Sequence, residues 1–98
     1  MSGLPRTPGF RLDGRRALVT GAGRGIGLAA AAALAQAGAE VTLVARSDDE
    51  LRAACAAIRA DGGRCGHAVV DVTDAAAVDR AFAQHGPFDV VVNNAGLN

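Results

Sequence analysis

Short apolar runs alternate along this chain with segments whose apolar positions recur every three or four residues. Arg16–Thr20 (RALVT) is one such run and ends in a glycine turn, which suits a buried strand. Gly25–Ala37 follows as a helix. Its Ile26, Ala29, Ala30, Ala33, Leu34 and Ala37 recur at helical spacing, and Gly38 stands where a helix usually stops. Glu40–Ala45 (EVTLVA) reads as a second strand. Ser47 is a good N-cap, and Glu50 completes a capping box that opens a second helix. Leu51, Ala54, Cys55 and Ile58 form one buried face of that helix, and Gly62-Gly63 ends it. Cys65–Val70 reads as a third strand ending at Asp71. Thr73 is expected to cap a third helix with Val78, Ala81 and Phe82 turned inward. Gly86-Pro87 stops this helix, Phe88–Val92 reads as a fourth strand, and Asn93-Asn94-Ala95-Gly96 is the turn after it.

The order β-α-β-α-β-α-β implies an α/β fold with a parallel sheet and helices on both faces. Right-handed crossovers make it a Rossmann-type doubly wound sheet, truncated after the fourth strand, with expected strand order 3-2-1-4. Residues 1–14 hold Pro5, Pro8 and Gly9 and read as an N-terminal arm; 15–98 form one dinucleotide-binding half-domain. The end at Asn98, just past the fourth strand's turn, is expected to be the edge of a piece of a longer protein.

Composition narrows the function. Half of the 98 residues are hydrophobic, enough for one globular unit. Net charge is zero, and the ten basic residues are all arginines spread along the chain with no run longer than Arg15-Arg16, so no positive field is expected to draw nucleic acid or an anionic membrane. Residues 1–13 do not have the pattern of a signal peptide, and no run approaches the roughly 18–20 apolar residues of a membrane span. A soluble, cytoplasmic protein is expected. Cys55 and Cys65 fit no CxxC or metal-ligand spacing and read as reduced structural thiols.

The chemistry-bearing motif is Thr20-Gly21-Ala22-Gly23-Arg24-Gly25-Ile26-Gly27, between the first strand and the first helix. Glycines there permit a tight turn and let backbone N–H groups approach a pyrophosphate, at the positive end of a helix dipole. The spacing GxxxGxG of Gly21, Gly25 and Gly27 differs from the commoner GxGxxG. A phosphate-binding P-loop would need a lysine, and the chain has none.

With TGAGRGIG after the first strand, Val70-Asp71-Val72 after the third and NNAG after the fourth, the chain resembles the short-chain dehydrogenase/reductase family across residues 11 to 98. The resemblance implies that Gly21, Gly25 and Gly27 line the pyrophosphate and that the Ile26 backbone lies beneath the nicotinamide half. It implies that Asp71 and the Val72 backbone contact the adenine edge. It further implies that Asn93, Ala95 and Gly96 pass along the ribose and help to fix the central sheet. Taken alone, Asp71 could equally be a strand-end cap, and Asn93 and Asn94 a polar turn.

The end of the second strand separates NAD from NADP. A carboxylate there would accept hydrogen bonds from a ribose 2′-hydroxyl. This chain has Ala45 followed by Arg46, and Arg24 lies in the glycine turn. Two guanidinium groups favour a 2′-phosphate, so the expected cofactor is NADP, with NAD disfavoured. The family's catalytic serine, tyrosine and lysine belong to a later part of the fold. This chain has no tyrosine and no lysine, and its serines are Ser2 and Ser47. His67 and His85 read as structural. No catalytic residue and no metal ligand is assigned, and the piece alone is expected to be inactive. The resemblance implies, for the whole protein, a small carbonyl or alcohol substrate and a homo-oligomer. The competing reading is a non-catalytic NAD(P)-binding sensing or interaction module; a related nucleotide-sugar epimerase fits the glycine spacing less well.

Overall fold

The computed structural model describes residues 11–94. Its elements run β1 (Arg16–Thr20), α1 (Gly25–Gln36), β2 (Glu40–Ala45), α2 (Asp48–Ala60), β3 (Arg64–Val69), α3 (Ala75–His85) and β4 (Val90–Asn93). The four strands form one parallel sheet in the order β3-β2-β1-β4. That is the order expected from right-handed crossovers. Residues 11–14 of the arm fasten to the end of α1: the Leu12 N–H donates to the Ala37 carbonyl at 2.8 Å, and Arg11 donates to the Gln36 carbonyl.

Two apolar clusters sandwich the sheet. On one face, Ala17, Val19, Val41 and Leu43 meet Ala31 and Ala35 of α1 and Leu51, Ala54, Cys55 and Ile58 of α2. On the other, Leu18, Val44 and Val70 meet Ala81 of α3. Alternate strand residues point to opposite faces, so an almost continuous apolar strand serves both layers. The α2 face is the one its periodicity indicates. Acids fill the first turn of α2 and Arg59 its last, in line with the helix dipole.

Several details depart from the expectations. The buried line of α1 is Gly27, Ala31 and Ala35, while Ile26 is 76% exposed and Ala29 and Ala33 face outward. The helix is apolar all round, so its pattern contains no contrast that could select a face. Gly27 sets which line faces the sheet, because only a residue without a Cβ fits against the Gly21 carbonyl there. Asp74, not Thr73, caps α3 by accepting from the Ala77 N–H at 3.2 Å. Thr73 is held instead by Asp71, to which its N–H and hydroxyl both donate. Phe82 is not turned inward; it is 39% exposed and packs edge-on against Phe88, with ring centroids 5.6 Å apart. β3 begins and ends one residue earlier than expected. β4 begins at Val90, because Asp89 is engaged with the Arg16 backbone through both its N–H and its carboxylate.

The two cysteines meet side by side in the core as free thiols. Burial, followed by the adjoining Cys55 sulfur, pushes the Cys65 thiol well above the usual cysteine range, which keeps it protonated at neutral pH. Their spacing in sequence does not reveal this contact.

In the four-stranded sheet, β3 and β4 are the edges. Arg59 takes up the Cys65 carbonyl of β3 through two hydrogen bonds. β4 leaves Val91 half exposed beside its open side. Exposed apolar edges template association. The isolated 98-residue chain is therefore expected to self-associate, and Val91→Lys to shift it towards monomer. Sedimentation velocity across a concentration series checks this; a monomeric wild-type chain would contradict it.

Candidate functional site

Because all four strands are parallel, their carboxyl ends lie on the same edge of the sheet. Open α/β sheets bind ligands at that edge. The structure brings the glycine turn after β1, Arg46 after β2, Asp71 and Val72 after β3, and Asn93 at the end of β4 to it. Ala95 and Gly96 lie outside the described residues.

The turn is shaped by backbone geometry. Gly21 and Gly25 have φ of +63° and +64°, a region that side-chain-bearing residues rarely adopt. The Gly21 N–H donates to the Val44 carbonyl at 2.8 Å, fastening the start of the turn to β2. Gly27 serves by close approach. A Cβ there would drive into the Gly21 carbonyl oxygen and stand 2.8 Å from Asn94 Nδ2.

The residue before α1, Arg24, is extended and gives the helix no side-chain cap, and no acid stands in the first turn. The first intrahelical donor is Leu28, which reaches the Arg24 carbonyl. The N–H groups of Gly25, Ile26 and Gly27 have no partner among the described residues. By contrast, α2 and α3 are capped by Ser47 and Asp74. An uncapped, glycine-lined helix N-terminus offers three converging donors and a partial positive charge to an anion.

Two groups outside the expected set complete this corner. The Thr20 hydroxyl donates to Asn93 Oδ1 at 3.0 Å and accepts from the Asn94 N–H at 3.0 Å. Asn94 Nδ2 donates to the Gly21 carbonyl at 3.3 Å. The motif after β1 and the turn after β4 are thus one hydrogen-bonded unit. A polar turn composition gives no sign of which asparagine makes this bond, since the contact spans more than 70 residues.

Arg24 is 87% exposed in its side chain, and its Nε lies 3.9 Å from Glu50 Oε2. The Ser47 hydroxyl accepts from the Glu50 N–H at 3.3 Å, so half of the capping box forms. The Glu50 carboxylate turns to the glycine turn instead of back to Ser47. Asp71 Oδ1 accepts from the Thr73 hydroxyl at 2.7 Å and the Thr73 N–H at 2.9 Å, so Asp71 is a strand-end cap in this structure. Those two bonds, and then the nearby Arg46 charge, hold its carboxyl below the usual aspartate range. Val72 packs partly buried on the α3 side. His67 contacts Asp48 at 3.4 Å.

A groove of about 700 Å³ lies at the opposite end, between the later turns of α1 and α2, and contains none of these residues. Among the described residues there is no cluster of metal-ligating side chains, and no helix is long and apolar enough to cross a membrane.

A parallel sheet with a glycine-rich turn and an open helix N-terminus at its carboxyl edge defines a nucleotide-binding α/β protein. The chain belongs to the short chain dehydrogenase family, whose model matches residues 15–98. It is 48% identical over 92 residues to gluconate 5-dehydrogenase of Gluconobacter oxydans, covering 90% of this chain and 36% of that protein. It is 47% identical over 93 residues to 2-keto-3-deoxy-L-fuconate dehydrogenase of Xanthomonas campestris, covering 95% of this chain and 30% of that protein. Among solved structures, a metagenomic short-chain oxidoreductase in complex with NADP superposes with a TM-score of 0.79 at 44% identity. That match covers 87% of this chain and 40% of the other. The chain spans about a third of the length of the curated relatives it matches.

Gly27→Ala is expected to disrupt the turn and weaken dinucleotide binding by at least about tenfold, read by calorimetric titration of the full-length protein. Unchanged affinity would show that the close approach is dispensable. For Asp71 the sign is set by a lowered carboxyl value. Its ionised form favours the fold above the ordinary aspartate range, and that contribution disappears as pH falls through the lowered value. Thr73→Val removes the hydroxyl bond and should raise the Asp71 carboxyl back towards its ordinary value, observable by NMR titration of its carboxyl carbon.

Proposed function

We propose that this chain is the cofactor-binding part of an NADP-dependent short-chain oxidoreductase that interconverts a small carbonyl compound and an alcohol. The observation that carries the reading is the open N-terminus of α1, with three N–H groups that have no partner among the described residues, behind a glycine turn at the carboxyl edge of the sheet. That donor set fits a pyrophosphate, which needs several N–H donors and no metal. Gly21, Gly25, Gly27 and the Ile26 backbone would hold it. Asp71 and the Val72 backbone would flank the adenine, and Asn93 with Ala95 and Gly96 would pass along the ribose.

NADP is favoured over NAD by charge. No carboxylate ends β2; Ala45 stands there, followed by Arg46. Arg24 approaches from the turn. A guanidinium pair suits a phosphate dianion through charge-assisted hydrogen bonds. The NADP complex of the metagenomic relative, and that of a gluconate 5-dehydrogenase from Burkholderia cenocepacia at 46% identity and a TM-score of 0.76, support this choice.

The chemistry such a cofactor supplies is hydride transfer. This chain's part is to bind and orient it. The sequence holds no tyrosine or lysine to move the accompanying proton, so the piece alone is expected to be inactive. In the whole protein we expect a soluble, cytoplasmic homo-oligomer.

Titrating the full-length protein with NADP⁺ and NAD⁺ tests the reading. NADP⁺ should bind more tightly. Arg46→Ala should weaken NADP⁺ by about tenfold, roughly 1.4 kcal/mol, and leave NAD⁺ nearly unchanged. Tighter binding of NAD⁺ by the wild-type protein would overturn it.

A further inference from the structure

We infer that Glu50 is a specificity-determining residue of the nucleotide site: its carboxylate stands beside Arg24 where a 2′-phosphate would compete for the same guanidinium. The inference rests on the NADP reading above and gives Glu50, marked in the sequence only as part of a capping box, a role at the nucleotide site.

The contact is built into the fold. Glu50 sits in the first turn of α2, where its N–H is held by Ser47 Oγ. Its Cβ and Oε1 each lie 2.9 Å from where a Cβ on residue 23 would stand. Only a glycine at position 23 lets this turn of α2 seat so close to the phosphate-binding turn. Gly23, superfluous to the GxxxGxG spacing, thus acquires a role. Glu50 Oε2 then lies 3.9 Å from Arg24 Nε. The neighbouring acid Asp48 is engaged elsewhere, by Arg52 at 2.9 Å and His67 at 3.4 Å.

The electrostatic consequence follows in sign. A phosphate arriving at Arg24 must displace or share the carboxylate and is repelled by its charge. A 2′-hydroxyl is neutral and feels neither effect. Glu50 therefore lowers NADP affinity selectively and moderates a preference that Arg24 and Arg46 would otherwise make steeper. One unit charge at about 4 Å in water corresponds to about a fivefold change in affinity.

The test uses the full-length protein and calorimetric titration with NADP⁺ and NAD⁺. Glu50→Gln keeps the side chain's shape and the backbone cap while removing the charge. It should tighten NADP⁺ by about fivefold and change NAD⁺ by less than about twofold. In an Arg24→Ala background, where the competition for the guanidinium is gone and only the direct repulsion remains, the same substitution should have a clearly smaller selective effect. Should Glu50→Gln fold poorly, Glu50→Asp, which draws the charge away from Arg24, should shift NADP⁺ in the same direction by less. Preference for NADP⁺ with no selective change in Glu50→Gln would overturn this inference and leave the NADP reading standing. Equal weakening of both nucleotides would assign Glu50 a merely structural role and overturn it too. Wild-type preference for NAD⁺ would overturn both.

Discussion

The arrangement depends on one close approach, that of Gly27 to the Gly21 carbonyl and the Asn94 amide. It closes the glycine turn on itself, seats α1 against the end of β1 and pins the end of β4 to the same point. The Thr20 hydroxyl ties β1 to both asparagines from the other side. Without room for that contact, the helix would move away from the sheet, and its open N–H groups would lose their common aim. The binding corner and the packing of the fold are therefore one constraint.

Around that junction the charges are arranged with economy. Arg24, expected to read a phosphate, has the Glu50 carboxylate beside it, and the Arg46 charge is felt by Asp71, which is itself held by Thr73. Both carboxylates are open to solvent. Solvated ion pairs such as Arg24–Glu50 contribute little to stability. Their consequence lies in what they offer or deny to an incoming anion.

Most of the fold was legible in the pattern of the chain. Strand runs flanked by glycine turns marked each crossover, and the handedness of crossovers sufficed for the order β3-β2-β1-β4. The α2 face was legible because Leu51, Ala54, Cys55 and Ile58 stand among polar neighbours. The α1 face was not, since an alanine-rich helix lacks that contrast. Thr73 and Asp74 are both good caps, and only the bond from Thr73 to Asp71 decides between them. In the site, Gly21, Gly25 and Gly27 could be read from local spacing. Asn94, Glu50 and the cysteine contact could not, because each is a juxtaposition that exists only once distant elements are packed.

The line of Gly27, Ala31 and Ala35 has a consequence for how this chain can vary. A helix seated through its backbone has its rotation fixed by steric minimum rather than by greasy side chains. Its tolerance of change is then lopsided. Bulk added along that line levers the whole element off the sheet and, at its N-terminal end, disturbs the glycine turn. Ala29 and Ala33 are exposed among the described residues, so bulk added there leaves the seat of the helix untouched. Volume along one narrow stripe, and not hydrophobicity, is what α1 conserves for its neighbours.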